Sequence, residues 1–335
     1  MTKRYEKIAS LMRPILLLVL LAMFAALASF VALGVGSNGV DFGGVVGALV
    51  GHGDATTREI IFDLRLPRAL NAFGCGALLA LAGALLQALL RNPLADPFVL
   101  GISSGAGALS LIAMLFGAGA ALTAVAGFAG ALASTGILFL LAWRGGLLPI
   151  RLLLAGVILS AAWGALITLL LALAPDAPLR GMVFWLMGDL AQADSGRAWL
   201  APIAAFISLG LALPMARSLD ALGQGELSAA ALGVAVGRLR ALALLLAACI
   251  TALVVVIAGS IGFVGLVTPH LMRLAGLRRH RELLPACVFS GGTLLLLADV
   301  LSRSVVAPLQ LPVGAVTAAL GAPMFLWLLS RSAKR

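Results

Sequence analysis

The chain has 335 residues, 62% hydrophobic and 11% charged, with a mean hydropathy of +1.13 and a formal net charge of +10. Soluble globular proteins carry roughly 25% charged residues, so this composition excludes a soluble enzyme or binding module and specifies an all-α, polytopic membrane protein. The pI of about 11.1 fits basic residues gathered in loops on one side of a membrane and calls for no nucleic-acid partner.

Apolar runs of about 20 residues mark the expected spans. They lie at 14–36, 66–90, 98–117, 119–142, 151–174, 198–216, 241–258, 260–275, 283–302 and 312–330. The first is too long for a signal-peptide core of roughly 7–15 residues and is read as a retained span. The whole chain, 1–335, reads as one transmembrane domain: residues 1–64 hold the first span and an outer loop, and 65–335 the core.

Ten spans put both termini on one side. With the termini inside, 17 of the 23 lysines and arginines fall in inner segments. Arg58, Arg65, Arg68, Arg180, Arg197 and Arg303 remain outside. The asymmetry predicts cytoplasmic termini and leaves Arg65, Arg68 and Arg303 at helix mouths where cations are scarce. In LRLPRAL (64–70), Pro67 suits the first turn of a helix entered from outside, where a missing N–H costs nothing.

RNPLADPFVLGISSGAG (91–107) joins spans 2 and 3. Asn-Pro and Asp-Pro start turns, and small residues then open the next span, which predicts a tight polar hairpin suited to a gate. The segment 179–190, LRGMVFWLMGDL, is read as part of an outer loop. The inner segment 217–240 contains Gly223 and Gly225, then Glu226 leading a short helix to Gly233, a placement that the helix dipole favours. Leu227, Ala230, Ala231 and Val234 would give it an apolar stripe for a protein groove; the competing reading is a loop helix lying on lipid. Residues 65–87 faintly echo 238–260, the pattern of an inverted repeat. In span 9, Asp299 and Arg303 stand four apart in acid-first order and are read as a structural ion pair rather than a proton relay.

Chemistry is otherwise sparse. Cys75, Cys249 and Cys287 sit singly in apolar runs, which suggests neither a disulfide framework nor a metal site. Lysine occurs only at 3, 7 and 334, so the chain holds no GxxxxGK[ST] phosphate loop and cannot hydrolyse ATP by itself.

RLPR with AGALLQALLRNPLADPFVLGISSGAG, GELSAAALG, GSIGFVGLVTPHLMRLAG, HRELLPACVFSGGTLLLLADVLSR and QLPVGAVTAALGAPMFLWLL resemble, in order from Arg65 to Leu329, a known family. It is that of the permease subunits of type II ABC importers (the FecCD/BtuC type), which serve iron-siderophores, haem and cobalamin. The resemblance implies a homodimer in the bacterial inner membrane with a path along its two-fold axis. It implies two copies of a cytoplasmic ABC ATPase, which carry ATP and Mg, and a periplasmic substrate-binding protein. This chain itself would bind no cofactor and catalyse no reaction.

The resemblance also assigns residues. Gly225, Glu226, Leu227, Ala230, Leu232 and Gly233 match the coupling helix that seats in the ATPase. Asn92, Pro93 and Leu94 match one part of a cytoplasmic gate, and Pro149 and Ile150 another, although relatives can carry small hydroxyl residues at that second loop. Arg65, Arg68 and Arg303 match arginines that pair with glutamates of the binding protein. The expected function is import of a metal chelate; the alternative from another class is an ion-coupled secondary transporter.

Overall fold

The computed structural model describes residues 2–36, 39–52, 54–143, 147–191 and 195–332. Arg144, Lys334 and Arg335, counted above among the inside charges, lie outside the described residues. Helix α1 (Thr2–Gly34) leads through an antiparallel pair, β1 (Val35–Gly36) and β2 (Gly39–Val40), into α2 (Phe42–Val50). Asp41 caps α2 by accepting the Gly44 N–H at 2.7 Å. Asp54 caps α3 (Ala55–Glu59), which passes through a π-turn (Ile60–Arg65) directly into α4 (Leu66–Leu90).

Helix α4 begins at Leu66, where the second span was expected, with Pro67 in its first turn. The backbone before it is also helical, in a run of 36 residues, Ala55–Leu90, so Pro67 follows helix and not an extended loop. A proline there removes an N–H and crowds the carbonyl one turn back. The wider π-turn just upstream, closed by the Leu66 N–H on Ile61 O, makes room for it.

The chain continues through α5 (Ile102–Leu115), α6 (Ala120–Trp143), α7 (Pro149–Leu173) and α8 (Asp176–Leu186). Next come α9 (Leu200–Ala212), α10 (Ala216–Gly223), α11 (Glu226–Ala231) and α12 (Val236–Ala258). Last are α13 (Val264–Leu274), α14 (His280–Ser304) and α15 (Val313–Ser332). Each expected span finds a helix, and among the described residues seven helical stretches are long and apolar enough to cross a bilayer. The span expected at 260–275 is shorter than read. α13 has 11 residues, roughly 16 Å at 1.5 Å per residue, about half of a 30 Å hydrocarbon core. Helix α8 was not foreseen.

Lipid-facing helices keep their apolar side chains outward, whereas α4 is the hub. In its most apolar window 94% of residues are buried, against 17% for α1 and for α7. It packs against α14, α12, α9 and α13. Between membrane helices burial of apolar surface supplies little drive, so close backbone approach must supply packing. Gly76 rests on the Gly291 carbonyl of α14 and Gly83 on the Gly265 carbonyl of α13; a Cβ at either would overlap that oxygen.

Contacts sort the helix ends into two groups. One end holds Arg65, Arg68, Asp299 and Arg303. The other holds Gln87, Arg273, Asp220, His280, Glu226 and Arg240. They are called the outer and inner ends below, following the expected orientation.

Candidate functional site

At the outer end the predicted pair Asp299–Arg303 exists, but it is the weaker half of a larger cluster. Asp299 is fully buried, and Arg68 of α4 donates its Nε–H to both carboxylate oxygens at 2.9 and 3.1 Å. Arg303 Nε stands 3.5 Å from Oδ2, an ion pair without a hydrogen bond. Arg68 Nη1 also donates to Gln310 Oε1 at 2.7 Å, and Arg303 Nη2 to Ala32 O at 2.7 Å. Arg65 is half-buried and donates to the Leu33 and Gly34 carbonyls at the end of α1.

The expectation of three free rim charges needs correcting in form. Arg68 and Arg303 are buried, turned inward around one carboxylate because a membrane protein cannot leave Asp299 unpaired. The cluster keeps a surplus of two positive charges, with Arg65 its most accessible member.

An open pocket of about 500 Å³ lies between the turn ahead of α5 and the break ahead of α13. Two irregular stretches build it, one before each shortened helix. Leu94, Asp96 and Phe98 come from the turn ahead of α5; Ser260, Gly262 and Phe263 come from the break ahead of α13. The end of α8 and the start of α15 close its sides, through Met187 and Ala315. Non-helical backbone at membrane depth requires internal partners for its polar groups. Ser160 of α7 donates to Phe98 O at 2.8 Å, and Ser134 of α6 donates to Gly101 O at 2.7 Å. Pro269 lacks the N–H that would bond Gly265 O, and Gln87 Nε2 fills the role at 3.2 Å. Phe263 adopts φ 69°, a strained value for a bulky residue, at the head of α13.

Of the five predicted gate residues, Leu94 lines this cavity. Asn92 shapes its turn by accepting the Leu94 N–H on Oδ1 at 2.9 Å, and Pro93 lies between them. Pro149 occupies the first turn of α7 and Ile150 is exposed there; neither lines the cavity.

Asp96 is the cavity's one acidic residue and was not singled out from sequence. Its Oδ1 accepts the Phe98 N–H at 2.9 Å, and the side chain is buried.

At the inner end α11 forms where the glycine spacing placed it. Gly225 precedes it at φ 125° and Gly233 follows at φ 82°, conformations that side chains resist. Leu227 is 88% exposed and Leu232 70%, with Ala230 and Ala231 also exposed. Ala229 is buried, and Val234, expected on the stripe, is half-buried against the core. Glu226 caps nothing by itself; it receives Arg240 of α12 in a two-toothed bridge at 3.2 and 2.8 Å. Arg240 had been counted only as an inside charge. The fourteen-residue separation has no local signature, so nothing in the sequence paired it with Glu226.

Residues 19–331 match the model of the FecCD transport family. The vitamin B12 import system permease protein of Citrobacter koseri is 42% identical over 275 residues, 81% of this chain and 83% of that protein. Its namesake from Salmonella typhi is 43% identical over 277 residues, 82% and 84% of the two chains. A solved structure described as an inward-facing conformation of a metal-chelate type ABC transporter superimposes with a TM-score of 0.85 at 32% identity. That superposition covers 94% of this chain and 98% of the other.

Proposed function

Since the chain belongs to the FecCD transport family and is the permease subunit of an ABC importer for metal chelates, we propose that its cargo is cobalamin. The identity of 42 and 43% to permeases named for vitamin B12 carries this reading. The family implies an ATPase, a substrate-binding protein and a membrane as partners, and the chain is no enzyme. We read the assembly as a homodimer in the bacterial inner membrane, with both termini cytoplasmic and two ATPase subunits that hold ATP and Mg. The exposed face of α11 suits an ATPase groove, and the Glu226–Arg240 bridge suits transmission of force into α12. The outer arginine cluster suits acidic lobes of a binding protein, and Leu94 beside the cavity suits a gate.

The test is uptake of labelled cyanocobalamin into proteoliposomes holding the permease with its cognate ATPase, in the presence of the cognate binding protein. Uptake should require ATP and resist competition by ferric-siderophore and haem. Uptake driven by a proton gradient without ATPase would instead support the secondary transporter. In the same system Arg65→Glu should weaken binding-protein docking about fivefold, chiefly through slower association that salt masks, as befits an accessible charge. Unchanged association at low salt would remove Arg65 from the docking surface.

A further inference from the structure

Helix α14 begins without a side-chain cap of its own: Arg279 supplies none. The acceptor comes from another helix. Asp220 of α10 takes the His280 backbone N–H on Oδ1 at 2.9 Å, and the same oxygen bonds His280 Nδ1 at 2.6 Å. A carboxylate there satisfies an orphan donor and favours the positive end of the helix dipole. The His280 side chain is 10% exposed and Asp220 32%, so the contact is largely sealed.

Its position is unusual. Asp220 lies on α10, the short helix that leads into Gly225 and α11. α14 then runs 25 residues to Ser304, roughly 36 Å, and carries Asp299 and Arg303 at its far end. Pro285 weakens one rung near the start, but α14 remains a single helix, clamped along α4 by Gly76 and Gly291. The other attachment of the coupling segment, Glu226–Arg240, feeds α12, which ends at Gly259 beside the cavity. Two latches therefore lead from α11 to two places: one towards the cavity, one towards the outer cluster.

We propose that the Asp220–His280 contact passes displacement of the coupling helix along α14 to the outer arginine cluster, with His280 as a positioning residue. By reciprocity, docking at the outer cluster then reaches the ATPase face through the same contact. The proposal rests on the assembly proposed above. Its experiment uses the reconstituted complex and reads the ratio of ATPase activity with and without the binding protein. A wild-type complex indifferent to the binding protein would overturn the assembly itself.

Given stimulation in the wild type, two variants isolate the link. His280→Asn places an N–H donor where Nδ1 stands; His280→Gln places it one bond too far. Both keep the backbone bond to Asp220, so a loss confined to one of them does not come from the helix start. His280→Gln is expected to lower the ratio about fivefold, the effect of one missing hydrogen bond, with basal ATPase activity retained. His280→Asn is expected to stay within about twofold of wild type. An unchanged ratio in His280→Gln, or equal losses in the two variants, would overturn the link.

Discussion

Leu227→Asp is expected to abolish ATP-driven uptake while leaving the permease itself as stable as the wild type. The side chain is 88% exposed and anchors nothing within this chain, so its loss costs the fold little. As the largest apolar group projecting from α11 it should fill a pocket in the ATPase, and a residue of that kind typically contributes 2 kcal/mol or more. That loss alone weakens the complex about 30-fold, and burying an unpaired carboxylate in the same pocket adds to it. Co-purification of ATPase with tagged permease and uptake in proteoliposomes should both collapse, with thermal unfolding of the permease unmoved. Ala229→Asp supplies the contrast, because Ala229 faces the core: there the permease itself should fail. Normal ATPase recovery with Leu227→Asp would show that another surface couples the motor.

How far the sequence led follows from which signals are local. Span positions were legible because twenty apolar residues in a row have one physical use in a chain this hydrophobic. The turns around α11 were legible because Gly225 and Gly233 report backbone conformation directly. Hydropathy is blind to breaks that remain apolar, so Ser260 to Phe263 read as helix although the chain is bent there. α8 escaped for a related reason. Arg180 and Gly181 interrupt its short apolar pattern, yet Met182 is fully buried with Leu111 and Leu170. The ion pairs that organise both ends join residues far apart in sequence, Arg68 with Asp299 and Asp220 with His280, and no periodicity announces them. The resemblance supplied functional labels for Arg65, Arg68 and Arg303; the structure added that two of them also hold the fold.

That structural role sets the other large effect. Asp299→Ala should be among the most damaging single substitutions at the outer end, through folding rather than docking. The carboxylate is fully buried and is the only acidic partner of Arg68 and Arg303 among the described residues. Removing it leaves two inward guanidinium groups beside each other without a counter-charge, which costs about 3–5 kcal/mol. At a few degrees per kcal/mol for a large domain, the unfolding midpoint in detergent should drop by about 10 °C. The cause can be separated from the simple loss of a side chain. If uncompensated charge dominates, Asp299→Leu combined with Arg68→Met should be more stable than Asp299→Ala alone, because the pair is removed together and its volume is replaced. Arg303 retains its bond to Ala32 O in that background, while Gln310 gives up a partner near the surface. A double variant no better than the single one would mean that the cluster's shape, and not its charge balance, joins α4 to α14.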